Sequence, residues 1–489
     1  MNPPTPALDP PRLATAALPL VEELAPAPDP FETACRLARV PHLTFFDSAA
    51  NPAGLGRYSF LCADPFGWLQ ARRAQVWLNG RLQAATDPFT VLAEQLARWP
   101  TETLPGLPPF QGGAAGLLGY DLCHHIERLP RPRHDEFEVP DLAVGFYDWV
   151  IAFDHQQSRA WLISTGLPET DVNRRRVRAE QRLRQVRRLL RQPASLDASA
   201  PAGPTVTPAV HFPAPALPGL ASNFDRAGYL STIRRAIEYV HAGDCFQVNI
   251  AQRLLCPAQS SPLELYGRLR ERNPAPFAGY FDLGEFTIAS ASPERFVRVD
   301  GGAVETRPIK GTRPRGQTAE EDAARIAELK NSVKDRAENV MIVDLLRNDL
   351  GRVCRYGSVR VEAVCRVETY QYVHHLVSVV RGLLRPGLGP VDLLRASFPG
   401  GSVTGAPKVR AMEIIAELEP TARGPYCGSL GWIGFDGGMD TNILIRTFTQ
   451  GKGWVQFPVG GGVVADSVPE QEYEETWHKA RGLLRALAT

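Results

Sequence analysis

Apolar positions along this chain change period at definite places, and those changes predict its elements. Tyr229, Ile233, Ile237 and Val240 recur at helical spacing between Asp225, a suitable N-cap, and Gly243, a suitable stop. Residues 245–251 then read as a strand, as do 280–283 and 286–289 around a glycine turn, and 296–299. A long helical region is predicted from Thr318, where Glu321 completes a capping box, to about Leu350. The last helix is predicted from Pro469, a residue suited to the first helical position, to about Leu487. In the amino half, short apolar or alternating runs such as 57–62 and 142–153 are broken by glycine and proline, which predicts mixed structure rich in sheet.

The sharpest change of composition lies at residues 192–222, where Pro, Ala, Ser and Gly follow an arginine-rich helical stretch at 174–191. Such a segment buries little apolar surface, so it is expected as a linker. The expected organisation is a proline-rich leader at 1–30, an N-terminal region at 31–191, the linker, and a C-terminal catalytic domain at 223–489. A chain of 489 residues exceeds one ordinary core, which agrees with this division. The leader lacks a basic start and a clean apolar block, so it does not read as a signal peptide.

With 54 Lys+Arg against 53 Asp+Glu, net charge gives no reason to expect nucleic acid or an anionic membrane as partner. No stretch approaches the ~20 apolar residues of a spanning helix. Eight cysteines without a CxxC pair suit reduced thiols in a cytoplasm. Adjacent residues seldom converge on one ion, so Cys123 beside His124 and His125 carries no zinc expectation.

Chemistry concentrates in the carboxyl half. Lys310 lies in a loop with Arg307, Arg313 and Arg315, and neighbouring cations favour its neutral, nucleophilic form; a solvated basic loop is the plainer reading. Asp335 with Glu338, and Glu472 with Glu475, are spaced i, i+3, so each pair shares a helical face. Four carboxylates in such pairs suit Mg²⁺, which shares its coordination with water and an anionic substrate. Lys479 follows one turn after Glu475, where it could reach a bound anion. The runs at 400–408 and 460–462 are glycine-rich and would let backbone approach a ligand, although the first lacks the spacing of a nucleotide P-loop.

Taken together, the segments resemble the chorismate-utilising enzyme family. The resemblance rests on Gly243-Asp244-Cys245-Phe246-Gln247-Val248, Ser292-Pro293-Glu294-Arg295-Phe296, the Lys310 loop, Asp335-Arg336-Ala337-Glu338-Asn339, Gly401-Ser402-Val403-Thr404-Gly405-Ala406-Pro407-Lys408, and Glu472-Tyr473-Glu474-Glu475 ending in Lys479-Ala480. It implies an α+β fold of packed β-sheets flanked by helices. It also implies Glu338 and Glu475 as Mg²⁺ ligands, helped by Asp335 and Glu472, and Glu294 as the general acid at the C4 hydroxyl of chorismate. His375, Gln247, Thr404, Gly405, Tyr426, Arg446, Gly461 and Lys479 would line the substrate.

Two positions separate the subfamilies. Members that add water at C2 carry a lysine base where this chain has Gln247, and anthranilate synthases usually carry alanine where it has Lys310. Lysine at the latter position implies amination of chorismate to 4-amino-4-deoxychorismate, on the way to p-aminobenzoate and folate. Ammonia would come from a separate glutamine amidotransferase subunit, because none of the eight cysteines lies in a glycine-flanked elbow. The alternatives are an anthranilate synthase component I and a silent tryptophan- or chorismate-binding regulator. Asp47-Ser48, followed by Gly56-Arg57-Tyr58-Ser59-Phe60, is similar to a segment that binds tryptophan in some members; the same residues also suit a turn between strands.

Overall fold

The computed structural model describes residues 19–49, 55–194, 203–369 and 373–488. Their strands form two antiparallel sheets. In the first, the order runs from Leu20–Leu24 through Arg159–Ser164, Trp149–Asp154, Tyr58–Cys62 and Thr44–Asp47 to Phe277–Asp282 and Phe286–Ser292. It continues through Thr447–Gly451, Trp454–Val463 and Gln247–Pro257 to the short strands Ala221–Ser222 and Phe212–Pro213. The second sheet contains Ile309–Pro314, Val373–Leu383, Ala303–Thr306, Arg295–Asp300, Met439–Asn442, Ser429–Gly434, Gly113–Leu118 and Leu142–Tyr147 in that order, and ends in Gly67–Arg72 and its hairpin.

The sheets meet through their apolar faces. Phe281, Phe286 and Ile288 of the first cluster with Leu117 and Leu430 of the second, while Phe110 stacks on Trp432 and meets Phe60 edge-on. Helices cover the outer faces, and Gln247–Pro257 is buried over nearly its whole length although it carries Gln247, Asn249, Gln252 and Arg253. Helix Pro469–Leu487 packs on Trp454–Val463 and on helix Pro262–Arg272. Among the described residues no helix is long and apolar enough to cross a membrane.

Several expectations change. Residues 31–191 and 223–489 are not separate cores, because both sheets contain strands from both: Thr44–Asp47 pairs with Phe277–Asp282, and Gly113–Leu118 with Ser429–Gly434. The leader at 1–30 contributes the edge strand Leu20–Leu24, fastened to Arg159–Ser164; residues 1–18 lie outside the described chain. Of the linker, 195–202 also lie outside it, and the later part docks: Trp454 donates its indole N–H to Val206 O at 2.8 Å, and Phe212–Pro213 joins the sheet through Ala221–Ser222. Backbone hydrogen bonds, which composition does not display, hold this segment in place. The long helical region divides into Ala319–Asn331 and Val333–Gly351, with Ser332 capping the second by accepting from Asp335 N at 3.2 Å. Helix Arg226–His241, capped by Asp225, and Pro469–Leu487 stand where the pattern puts them.

Candidate functional site

Glu294 stands just before strand Arg295–Asp300, and its position is set by backbone: its carbonyl accepts from Ile443 N at 3.0 Å. Lys310 comes from Ile309–Pro314, whose register against Val373–Leu383 slips between Ile309 and Thr312. Gly311 takes φ +79° at that slip, a conformation that favours glycine, and a Cβ there would stand 2.9 Å from Asp335 Cγ. The irregularity places the Lys310 amine 3.3 Å from Ser402 O and 3.9 Å from Glu338 Oε2. Ser402 in turn donates its hydroxyl to Glu294 Oε1 at 2.8 Å. The amine and the acid therefore share one neighbour.

Glu294 and His375 are buried and Lys310 is largely enclosed, and these ionisable groups respond. Burial pushes Glu294 up to about 7, against smaller opposing effects of the Ser402 hydrogen bond and the Lys310 charge. Burial lowers Lys310, an effect that Glu338 opposes and Lys479 reinforces. His375 is pushed down to about 4, first by burial and then by Arg446, so it is neutral near pH 7; its Nδ1 pairs with Thr312 Oγ1 at 2.8 Å.

Two groups ask for a ligand. The Gln247 amide is fully buried, and neither its oxygen nor its nitrogen has a hydrogen-bond partner. Gly462 lies against it, and a Cβ there would come within 2.2 Å of Gln247 Nε2. Arg446, held at φ +53°, keeps a largely enclosed guanidinium that forms no ion pair with a described residue. Among the described residues the cation has no ion pair and the amide no hydrogen-bond partner, and each suits a polar group of a carboxylate-bearing substrate.

Other expected residues have different surroundings. Thr404 gives its hydroxyl to Gly400 O at 3.0 Å, and Gly405, at φ +147°, pairs with Val248. The amides of Val403 and Thr404 close on Gly400 and Gly401, so the glycine run spends these N–H groups on its own turn. Tyr426 is buried, with the Arg423 guanidinium 5.7 Å from its ring centre. The run 460–462 lies within strand Trp454–Val463 and does not follow one.

The acidic pairs face cations. Glu475 accepts from Lys479 at 2.6 Å, Glu472 lies 3.8 Å from Lys334, and Asp335 pairs with Arg313 at 3.2 Å. Burial acts to raise Glu475, but Lys479 and other cations outweigh it and hold its carboxyl below the usual range; burial raises Glu338 and Glu472. A Cβ on Gly461 would stand 3.2 Å from Glu472 Oε2 and 3.4 Å from Glu475 Oε1, so this glycine gives the two carboxylates their room. The donor set is all carboxylate, the chemistry that Mg²⁺ takes. Among the described residues no three such side chains converge on a single point; Lys310, Lys334 and Lys479 lie beside Glu338, Glu472 and Glu475, and Arg313 beside Asp335.

Asp47 and Ser48 lie apart, in a cavity of about 350 Å³ also lined by Phe46, Arg295, Trp432 and Asp440. Asp47 accepts from Tyr266 at 2.9 Å and Arg270 at 2.8 Å, and Ser48 gives its hydroxyl to Tyr58 O at 2.6 Å. The sequence does not single out Ser402 and Lys334 as partners of the acids. Ser402 has a legible signal, a hydroxyl inside a glycine run, but its partner is 108 residues away.

Known proteins resemble this chain over most of its length. Residues 51–485 match the chorismate binding enzyme family. The chain is 40% identical to anthranilate synthase component 1 of Thermus thermophilus over 95% of its length and 96% of that protein's. It is 41% identical to aminodeoxychorismate synthase component 1 of Escherichia coli over 92% of its length and 94% of that protein's. The crystal structure of anthranilate synthase component I from Streptococcus pneumoniae superposes with a TM-score of 0.76 at 33% identity, covering 88% of this chain and 92% of that one. By the family match, and by likeness over nearly the full length of these relatives, the chain belongs to the chorismate binding enzymes.

Proposed function

We propose that this chorismate-utilising enzyme aminates chorismate at C4, giving 4-amino-4-deoxychorismate for p-aminobenzoate and folate synthesis. The observation that carries the reading is the Lys310 amine, enclosed in the site and lowered by burial toward its neutral form. Arg446 and the Gln247 amide would hold substrate polar groups, and Gln247 offers no base with which to activate water. The Lys310 amine would attack C2 and lose a proton as both ring double bonds shift, C1=C2 to C6=C1 and C5=C6 to C4=C5, and the C4–O bond breaks. Glu294, half protonated near pH 7, would deliver its proton to the departing hydroxyl, which leaves as water. Ammonia attacking C4 would then shift both double bonds back and expel the Lys310 nitrogen from C2, leaving the enolpyruvyl ether intact.

Glu338 and Glu475 would hold Mg²⁺, with Asp335 and Glu472 contributing directly or through water, and the ion would neutralise a substrate carboxylate. The ammonia would come from a glutamine amidotransferase partner, a reading supported by relatives named as component 1. A tryptophan would fit the Asp47 and Ser48 cavity. The second reading is anthranilate synthase component I, favoured by the 40% identity to the Thermus thermophilus protein. Incubation with chorismate, Mg²⁺ and ammonium salt separates the two. A 4-amino product without pyruvate is expected, and anthranilate with equimolar pyruvate would reverse the assignment.

A further inference from the structure

Ser402 touches both reacting groups through different atoms. Its hydroxyl donates to Glu294 Oε1 at 2.8 Å, and its carbonyl accepts from the Lys310 amine at 3.3 Å and from Asn249 Nδ2 at 3.4 Å. The turn that carries it is pinned on both sides. A Cβ on Gly400 would lie 2.5 Å from Ile443 Cδ1, and one on Gly401 would lie 2.5 Å from Leu345 Cδ2, so two neighbouring glycines let the backbone press against the residue that follows strand Met439–Asn442 and against helix Val333–Gly351. Ser402 itself is buried. On the other side, Glu294 is fixed by Ile443 N on its carbonyl, and its own N–H donates to Ser292 Oγ at 3.3 Å. Both ends of the Ser402–Glu294 hydrogen bond therefore belong to braced backbone.

We infer that Ser402 is a positioning residue for this reaction: its hydroxyl sets the orientation and proton affinity of the Glu294 acid, while its carbonyl independently aims the Lys310 amine. The inference rests on Glu294 as the acid, a role shared by both functional readings. It follows that a side-chain substitution at Ser402 removes support from the acid and leaves the amine's support in place. The charged or titratable groups facing Glu294 are Lys310 and the buried thiol of Cys427. Neither replaces the lost hydrogen bond, and both stay the same in the variants.

Ser402→Ala should lower kcat about tenfold, the scale of one hydrogen bond to an ionisable group, with KM for chorismate nearly unchanged. A donor to the carboxylate favours the ionised form, so its loss should move the alkaline limb of the kcat profile up by about one pH unit. Ser402→Thr, which keeps the hydroxyl, should restore the limb; Ser402→Cys, of similar volume but a weak donor, should behave like Ala. Glu294 can also be followed in the free protein by its carboxylic-acid infrared band, identified by its absence in Glu294→Gln. Its midpoint should rise in the Ala and Cys variants alike. An unmoved midpoint in folded Ala or Cys variants, or a kcat loss without movement of the limb, overturns the inference. If the midpoint moves while the product proves to be anthranilate, the positioning role stands and the amination reading falls.

Discussion

Glu294→Gln should stabilise the protein at alkaline pH while removing its activity. The carboxyl is fully enclosed, and burial raises it from an ordinary 4.5 to about 7. A carboxyl raised on folding adds stability below pH 4.5, and that stability is lost as pH rises to about 7, because the folded state binds the proton more tightly than the unfolded state. The gap corresponds to about 3 kcal/mol at about 1.4 kcal/mol per pH unit. Glutamine is neutral at every pH and can still accept from Ser402, so it escapes this cost. An unfolding entropy of about 2.1 cal/mol/K per residue gives roughly 1 kcal/mol/K for 489 residues, so each kcal/mol moves Tm by about 1 °C.

Scanning calorimetry of wild type and variant at pH 5 and pH 8 tests this directly. Most of the cost arises between those values, so the Tm advantage of Glu294→Gln should be about 2–3 °C larger at pH 8 than at pH 5. Any pH-independent effect of the new amide cancels in the comparison. An equal Tm difference at both pH values would refute the claim that a buried, proton-hungry carboxyl occupies this position.

Lys310→Ala should lose the 4-amino product by about a hundredfold or more, read by chromatography of the reaction mixture; an unchanged rate and product would exclude the covalent route. Arg446→Lys should raise KM for chorismate by about tenfold, the scale of a lost charge-assisted hydrogen bond, with a smaller change in kcat; unchanged KM would remove Arg446 from substrate binding. Gly461→Ala puts a methyl group 3.2 Å from Glu472 Oε2 and 3.4 Å from Glu475 Oε1, and should raise the half-saturating Mg²⁺ concentration several-fold in a titration of activity. Asp349→Ala leaves the buried Lys408 ammonium without the carboxylate now 2.7 Å away, which should cost about 3 kcal/mol and lower Tm by roughly 3 °C; an unchanged Tm would show that the pair adds nothing.

What is legible in the chain follows from where each signal resides. Caps and helical periods are local, so Asp225 and Pro469 mark their helices correctly, and spacing alone assigns the i, i+3 acids to helical faces. Ser332 with Asp335 is also a readable start signal, hidden because helix-forming residues continue across it. Sheet order is different. Leu20–Leu24 mixes leucine and glutamate among prolines and resembles loop, yet its partner Arg159–Ser164 supplies a full ladder and an Arg159–Glu23 ion pair at 2.8 Å. No local pattern at either segment names the other.

The same limit applies to the chemistry, with a sharper consequence. Three arginines near Lys310 in the sequence point to neighbouring cations as the cause of its lowered pKa, but in the structure burial comes first and Lys479 is the contributing cation. Arg307, Arg313 and Arg315 are instead spent on Glu368, Asp335 with Glu328, and Asp322. The burial that lowers the amine also raises Glu294, so one act of desolvation favours the neutral amine and the protonated carboxyl together. Their mutual attraction works against both shifts, and it weakens with separation. Ser402 stands on this axis, hydroxyl toward the acid and carbonyl toward the amine. A residue in that position can keep the two groups apart, so that their mutual attraction opposes each shift less than a direct ion pair between them would.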